Sequence, residues 1–157
     1  MELTELPYPF PGRVFRSAMP YSSYDPEGRL IQAYQENDIS MVVVLTSDEE
    51  MDQVTGRRLR SLYQASGLEI LSFPIPDFNV PDIDLLHQVV AQVSTRAQSG
   101  QSTVIHCHAG LGRTGMFLAC LAKMDMNFTA QEAVAWVRKN LPGAIEVPSQ
   151  EQIVRVF

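Results

Sequence analysis

A cysteine and an arginine stand six positions apart in a short glycine-containing segment that follows an apolar run. From residue 104 the segment reads Val-Ile-His-Cys-His-Ala-Gly-Leu-Gly-Arg-Thr-Gly. The thiolate of Cys107 would be a strong nucleophile, and the planar guanidinium of Arg113 can bind two phosphate oxygens at once. These residue types at this spacing predict covalent chemistry on a phosphate ester.

The residues between them favour the binding of an anion. Gly110 and Gly112 permit backbone conformations in which successive N–H groups point inward. The segment also leads into an apolar stretch typical of a helix, and a helix N-terminus carries unpaired N–H groups and a partial positive charge. The same field should favour the thiolate of Cys107 at the floor of the loop. The predicted phosphate-binding residues are His108, Ala109, Gly110, Leu111, Gly112 and Arg113.

The two cysteines of the chain differ in their surroundings. Burial as a small apolar side chain is the usual fate of a free cysteine. We predict that fate for Cys120, which lies in the apolar run Phe-Leu-Ala-Cys-Leu. For Cys107 a structural role stays open as an alternative, but Arg113 and the two glycines make the nucleophile the favoured interpretation.

The segment resembles the His-Cys-x5-Arg-Ser/Thr signature of the protein tyrosine phosphatase superfamily. Its wording, His-Cys-x-Ala-Gly-x-Gly-Arg-Thr-Gly, is most similar to the compact dual-specificity and atypical dual-specificity branch, and the resemblance covers about residues 13–157. It implies hydrolysis of phosphotyrosine, and of phosphoserine and phosphothreonine, on phosphoproteins through a phosphocysteine on Cys107. It implies neither a metal nor a cofactor, because Arg113 and backbone amides supply the positive charge.

The resemblance also implies residues that handle the proton and the departing sulfur. Asp77, in a proline-rich loop upstream of Cys107, matches the general acid that protonates the leaving oxygen. A turn-capping role is its alternative, and Asp82 is its rival, although Asp82 is better placed to begin the following helix. Thr114 matches the hydroxyl that donates a hydrogen bond to the sulfur, with a helix N-cap as the alternative.

Three further residues are assigned supporting roles by the resemblance. His106 is expected to brace the loop through hydrogen bonds. Gln150 matches a glutamine that helps to position the hydrolytic water, and a solvent-facing glutamine in the first turn of a helix is the alternative. Arg16 belongs to a segment that supports the active-site face, and we assign it no catalytic role.

Strands and helices alternate around this loop. Apolar, β-rich runs predict strands at 14–16, 41–45, 68–73 and 103–106. Helical spacing and caps predict helices over 28–37, within 48–65, and over 82–98, 114–124 and 129–140, with a last helix from 149. The alternation predicts a three-layer α/β fold with a mainly parallel central sheet flanked by helices. We predict one domain over residues 1–157, in which the prolines of residues 1–12 make an extended lead-in without regular structure.

The composition limits the partners. A formal net charge of −6 disfavours a nucleic-acid or anionic-membrane binder, which depends on clustered lysine and arginine. No apolar run approaches the ~18 residues of a membrane-spanning helix, and two cysteines are too few for a disulfide framework. We therefore predict a cytoplasmic protein that binds neither nucleic acid nor membrane. The resemblance implies that its partners are phosphoprotein substrates, and we expect it to be a monomer.

Other functions remain possible on this loop. Lipid phosphatases of the superfamily often carry lysines within it, where this chain has His108, Ala109 and Leu111, so a phosphoinositide substrate is the less favoured alternative. A catalytically silent phosphate-binding module is disfavoured because Cys107, Arg113 and Asp77 are all present. Sulfurtransferases and arsenate reductases normally differ in the wording of the loop or carry additional redox cysteines.

Overall fold

A five-stranded sheet lies at the centre of the computed structural model, which describes residues 2–79 and 81–157. The strands are β1 (Thr4–Leu6), β2 (Val14–Ser17), β3 (Ile39–Val44), β4 (Glu69–Ser72) and β5 (Ser102–His106). Their order across the sheet is β1-β2-β5-β3-β4. Strands β2, β5, β3 and β4 are parallel, and β1 pairs antiparallel with β2. The predicted, mainly parallel sheet is confirmed.

Helices cover both faces of the sheet, which confirms the three layers. They are α1 (Arg29–Glu36), α2 (Asp48–Thr55), α3 (Leu59–Ala65), α4 (Ile83–Gln98), α5 (Gly112–Asp125), α6 (Ala130–Asn140) and α7 (Pro148–Val156). Successive side chains of β3 point to opposite faces. Val42 and Val44 therefore pack with α1, α2 and α3, whereas Met41 and Val43 pack with the other four helices. Helix α5 contributes buried residues over most of its length.

The parallel register brings the carboxyl ends of the strands to one edge of the sheet. His106, the last residue of β5, pairs with Ser17 at the end of β2 and with Val44 at the end of β3. The loops that follow β2, β3, β4 and β5 therefore meet at this edge, which is where open α/β sheets bind their ligands.

Two details differ from the sequence predictions. The predicted lead-in includes β1, because Thr4 pairs with Arg16 and Leu6 pairs with Val14 before the prolines interrupt the ladder; Met1 lies outside the described residues. Between 48 and 65 two helices replace a single one, since Gly56 adopts a left-handed conformation with φ 66° and ends α2.

Candidate active site

Strand β5 delivers Cys107 to the carboxyl edge of the sheet, where the side chain is 3% exposed. The loop after it turns into α5, which begins at Gly112, two residues earlier than predicted. Within residues 2–79 and 81–157, no side chain caps this helix N-terminus. Backbone N–H groups of the first turn of α5 are thus left for a ligand, as an anion site requires.

Glycines are needed in the loop for two different reasons. Gly110 has φ 75°, and a Cβ there would lie 2.2 Å from the carbonyl oxygen of Ser17. Gly112 is helical, and its constraint is steric: a Cβ there would lie 2.5 Å from Glu146 Oε1 and 3.1 Å from Gln150 Nε2. The conformational argument from sequence therefore applies to Gly110, whereas Gly112 makes room for neighbouring side chains.

Three successive carbonyls of the loop are held from outside. The buried guanidinium of Arg16 donates from Nε to the carbonyl of Gly110 at 3.0 Å and from Nη2 to that of Ala109 at 3.1 Å. The amide of Met19 donates to the carbonyl of His108 at 2.8 Å. In a trans peptide the C=O and the following N–H point in opposite directions. Holding these carbonyls outward therefore turns the next three N–H groups inward.

Arg113 is held in place by a residue that the sequence analysis missed. Its Nη1 and Nη2 donate to the two carboxylate oxygens of Glu50 in α2 at 2.9 and 2.8 Å, and Nη1 also donates to the carbonyl of Ile75 at 2.8 Å. Arg113 is 1% exposed. Burial acts to lower the pKa of Arg113, but the hydrogen bonds of Glu50 and the charges of the Cys107 thiolate, Glu50 and Asp77 leave it raised.

Asp77 lies beside this pair and is open to solvent. Its Oδ1 is 3.3 Å from Nη2 of Arg113, and its side chain is 49% exposed. The same oxygen accepts a hydrogen bond from the amide of Phe78 at 3.0 Å. Asp82, the rival candidate, instead accepts from the amides of Asp84 and Leu85 at the N-terminus of α4. Val80, between them, lies outside the described residues.

Thr114 is not a helix N-cap and Gln150 does not face solvent, which were the alternatives to their predicted roles in the site. Thr114 is the third residue of α5 rather than its N-cap, and its buried Oγ1 has no hydrogen-bond partner within the described part of the chain. Gln150 is 1% exposed rather than solvent-facing. Its Oε1 accepts from the amides of Glu146 and Val147 at 3.0 and 3.4 Å. Both Nε2 and Oε1 lie beside Gly112, at 3.1 and 3.3 Å from a Cβ placed there, so Nε2 is the atom of the pair left to donate to a ligand.

His106 connects the loop to the opposite layer. Its Nδ1 is 2.9 Å from the carbonyl oxygen of Cys107, which can only accept, so Nδ1 donates. In the neutral ring Nε2 is then the acceptor, and it receives the hydroxyl of Tyr63 at 2.7 Å. Burial lowers the pKa of His106 to about 4, and its hydrogen bond to Cys107 offsets this only in part. The histidine therefore braces the loop as a neutral side chain.

This burial predicts a pH dependence of stability. Between pH 6.5, the ordinary pKa of histidine, and about 4, the unfolded chain binds a proton at His106 that the folded chain does not bind. The free energy of unfolding should therefore fall as the pH is lowered through this window, by on the order of 3 kcal/mol. Urea titrations at several pH values measure it. In a His106→Asn variant this part of the slope should disappear, and an identical slope in both proteins would contradict the assignment.

The comparisons with known proteins decide the family. The model "Tc-R-P: Polymorphic toxin system, DSP-PTPase phosphatase" matches residues 21–126, which include the loop and Asp77. The chain belongs to this DSP-PTPase phosphatase family. It is also similar to cyclin-dependent kinase inhibitor 3 of Rattus norvegicus, with 30% identity over 121 residues that cover 76% of this chain and 57% of the relative.

Other relatives and solved structures agree with this membership. Protein tyrosine phosphatase domain-containing protein 1 of Mus musculus is 27% identical over 92% of this chain, which spans 20% of that protein. The active form of Tk-PTP superposes with a TM-score of 0.79 at 31% identity, covering 92% of this chain and 90% of the other. A kinase-associated phosphatase with its catalytic cysteine replaced by serine superposes with a TM-score of 0.86 at 21% identity, covering 98% of this chain and 92% of the other. This similarity supports the fold described above.

Proposed function

We propose that this DSP-PTPase hydrolyses phosphate monoesters on phosphoproteins, through a phosphocysteine on Cys107. One arrangement carries the proposal: a buried cysteine beneath a loop with inward N–H groups, closed by an arginine that Glu50 holds and Asp77 contacts. Preorganised donors of this kind stabilise the charge that spreads over the equatorial oxygens of a transferring phosphoryl group.

In the first step the sulfur of Cys107 attacks phosphorus, and the ester P–O bond breaks as the P–S bond forms. Asp77 gives its proton to the departing oxygen. The position of Asp77 at the solvent edge, in contact with Arg113, suits a group that must reach the leaving oxygen rather than the phosphate itself.

In the second step water attacks phosphorus and the P–S bond breaks, which releases phosphate and the thiolate. Asp77 now takes the proton from the water. The unpartnered hydroxyl of Thr114 is available to donate a hydrogen bond to the departing sulfur. Gln150 can donate a hydrogen bond to the water from Nε2, and the carboxylate of Glu146, which also lies against Gly112, can accept one.

We propose phosphotyrosine as a substrate and, because the family branch is compact, phosphoserine and phosphothreonine as well. Because a reducing compartment keeps such a thiol from being oxidised, we propose that the protein acts in the cytoplasm. We also propose that it acts as a monomer. Every helix among the described residues is too short or too polar to span a bilayer.

The direct test of the proposed function is turnover of an aryl phosphate and of matched phosphopeptides in the presence of excess chelator. Absence of turnover on all of them would reject the proposed function.

An Asp77→Ala variant tests the general acid. We expect kcat to fall about 100-fold for alkyl phosphates, which have poor leaving groups, and much less for activated aryl phosphates that need little protonation. The measurement is the dependence of kcat on the pKa of the leaving group across a series of esters.

Asp82→Ala is the matched control for that series. Because Asp82 caps α4, its loss should cost about 1 kcal/mol of stability and should leave the leaving-group dependence unchanged. A steepened dependence in Asp82→Ala, with none in Asp77→Ala, would move the acid to Asp82.

A further inference from the structure

A groove of about 620 Å³ opens between the N-terminal segment and the beginning of α1. Its walls are apolar, and its rim is acidic. The lining includes the apolar side chains Leu3, Tyr24, Pro26 and Leu30 and the carboxylates Glu2 and Glu27. We call it the acidic groove. No step of the proposed reaction uses these residues.

Two contacts connect residues that line the acidic groove to the catalytic loop. Arg16, which holds the carbonyls of Ala109 and Gly110, also donates from Nη1 to the carbonyl of Glu2 at 3.3 Å. On the other wall the ring of Tyr24 meets the ring of His108 edge-on, with 5.9 Å between the ring centroids. Arg16 approaches the loop from its outer face, whereas the contact between Tyr24 and His108 puts one wall of the groove directly beside the loop, where residues flanking a phosphorylated side chain can reach it.

The charge of the groove lining determines which residues of a substrate it can bind. Among the described residues that line the groove, there are three carboxylates, Glu2, Asp25 and Glu27, and one guanidinium, Arg29. Asp25 is committed to the fold, because its two oxygens accept the amides of Arg29 and Leu30. Glu27 pairs with Arg29, but both side chains are more than 60% exposed. Exposed ion pairs of this kind contribute little, so the Glu27 carboxylate can exchange its partner for a ligand.

We infer that the acidic groove binds a lysine or arginine side chain close in sequence to the phosphorylated residue of the substrate. The inference rests on the proposed function and names a preference within it. The long aliphatic stem of such a side chain packs against the apolar walls while its cationic head reaches the carboxylates at the rim. A headgroup that carries further phosphates would be repelled here, which favours a basic phosphopeptide over a phosphoinositide.

The test compares two phosphotyrosine peptides that differ only by lysine or glutamine near the phosphorylated residue, together with a small aryl phosphate. The wild type should have a higher kcat/KM for the lysine peptide. Glu27→Lys should lower that value about fivefold while the aryl phosphate changes less than twofold. Ala33→Trp, which fills the groove without changing its charge, should lower kcat/KM for both peptides.

Glu36→Lys is the matched control. It makes the same charge reversal at the last residue of α1, outside the groove, whereas Glu27 lies two residues before that helix begins. Equal losses in Glu27→Lys and Glu36→Lys, or equal rates for the two peptides in the wild type, would overturn the inference. So would faster turnover of a phosphatidylinositol monophosphate in vesicles than of the lysine peptide. Turnover of both phosphopeptides would still uphold the proposed function if the lysine preference or the effect of Glu27→Lys were absent.

Discussion

A Cys107→Ser variant is expected to lose hydrolysis of aryl phosphates by a factor of at least about 10⁴. A serine hydroxyl stays protonated at neutral pH unless a base removes its proton. His106 cannot act as that base, because both of its ring nitrogens are engaged, one with the carbonyl of Cys107 and the other with Tyr63. The variant should keep its fold, since the side chain changes by one atom.

Steady-state turnover measures this loss, and rapid quenching followed by mass spectrometry detects the phosphate adduct on the Cys107 peptide of the wild type. Cys120→Ser is the matched control. Burial raises the pKa of Cys120 to about 12, so this thiol is not a nucleophile at neutral pH. Activity that persists in Cys107→Ser, or an adduct found on Cys120 instead, would reject the assignment.

An Arg113→Lys variant is expected to lose about a factor of 10³ in kcat/KM. The ammonium group keeps the charge but lacks the fork that reaches both oxygens of Glu50 and, in the proposed reaction, two phosphate oxygens. Inhibition by inorganic phosphate should weaken together with turnover. Circular dichroism and thermal unfolding check that the fold is retained.

Glu50→Gln separates the position of Arg113 from its charge. The amide keeps the shape of the carboxylate but offers one acceptor oxygen rather than two, so Arg113 stays charged and is held less firmly. We expect a loss smaller than that of Arg113→Lys. An Arg113→Lys variant within tenfold of the wild type would contradict the role of the guanidinium fork.

The candidate catalytic loop could be identified from sequence because its residues are close together in the chain. Cys107, Arg113 and the glycines between them lie within one short segment, and the strand before it and the helix after it have their own apolar patterns. The alternation of strands and helices likewise predicted the three layers and the parallel sheet. The N-terminal strand was missed because three residues before a proline carry too little periodicity to show their pairing with β2.

The amino-acid sequence by itself thus determined the class of fold and singled out the candidate nucleophile and the candidate anion-binding loop. Tertiary structure decided which side chains hold that loop: Glu50 on Arg113, Arg16 on Ala109 and Gly110, and Tyr63 on His106. These partners are 43 to 94 residues apart in the chain. They meet because parallel strands end at the same edge of a sheet, and that register depends on packing across the whole domain rather than on any local run of residues.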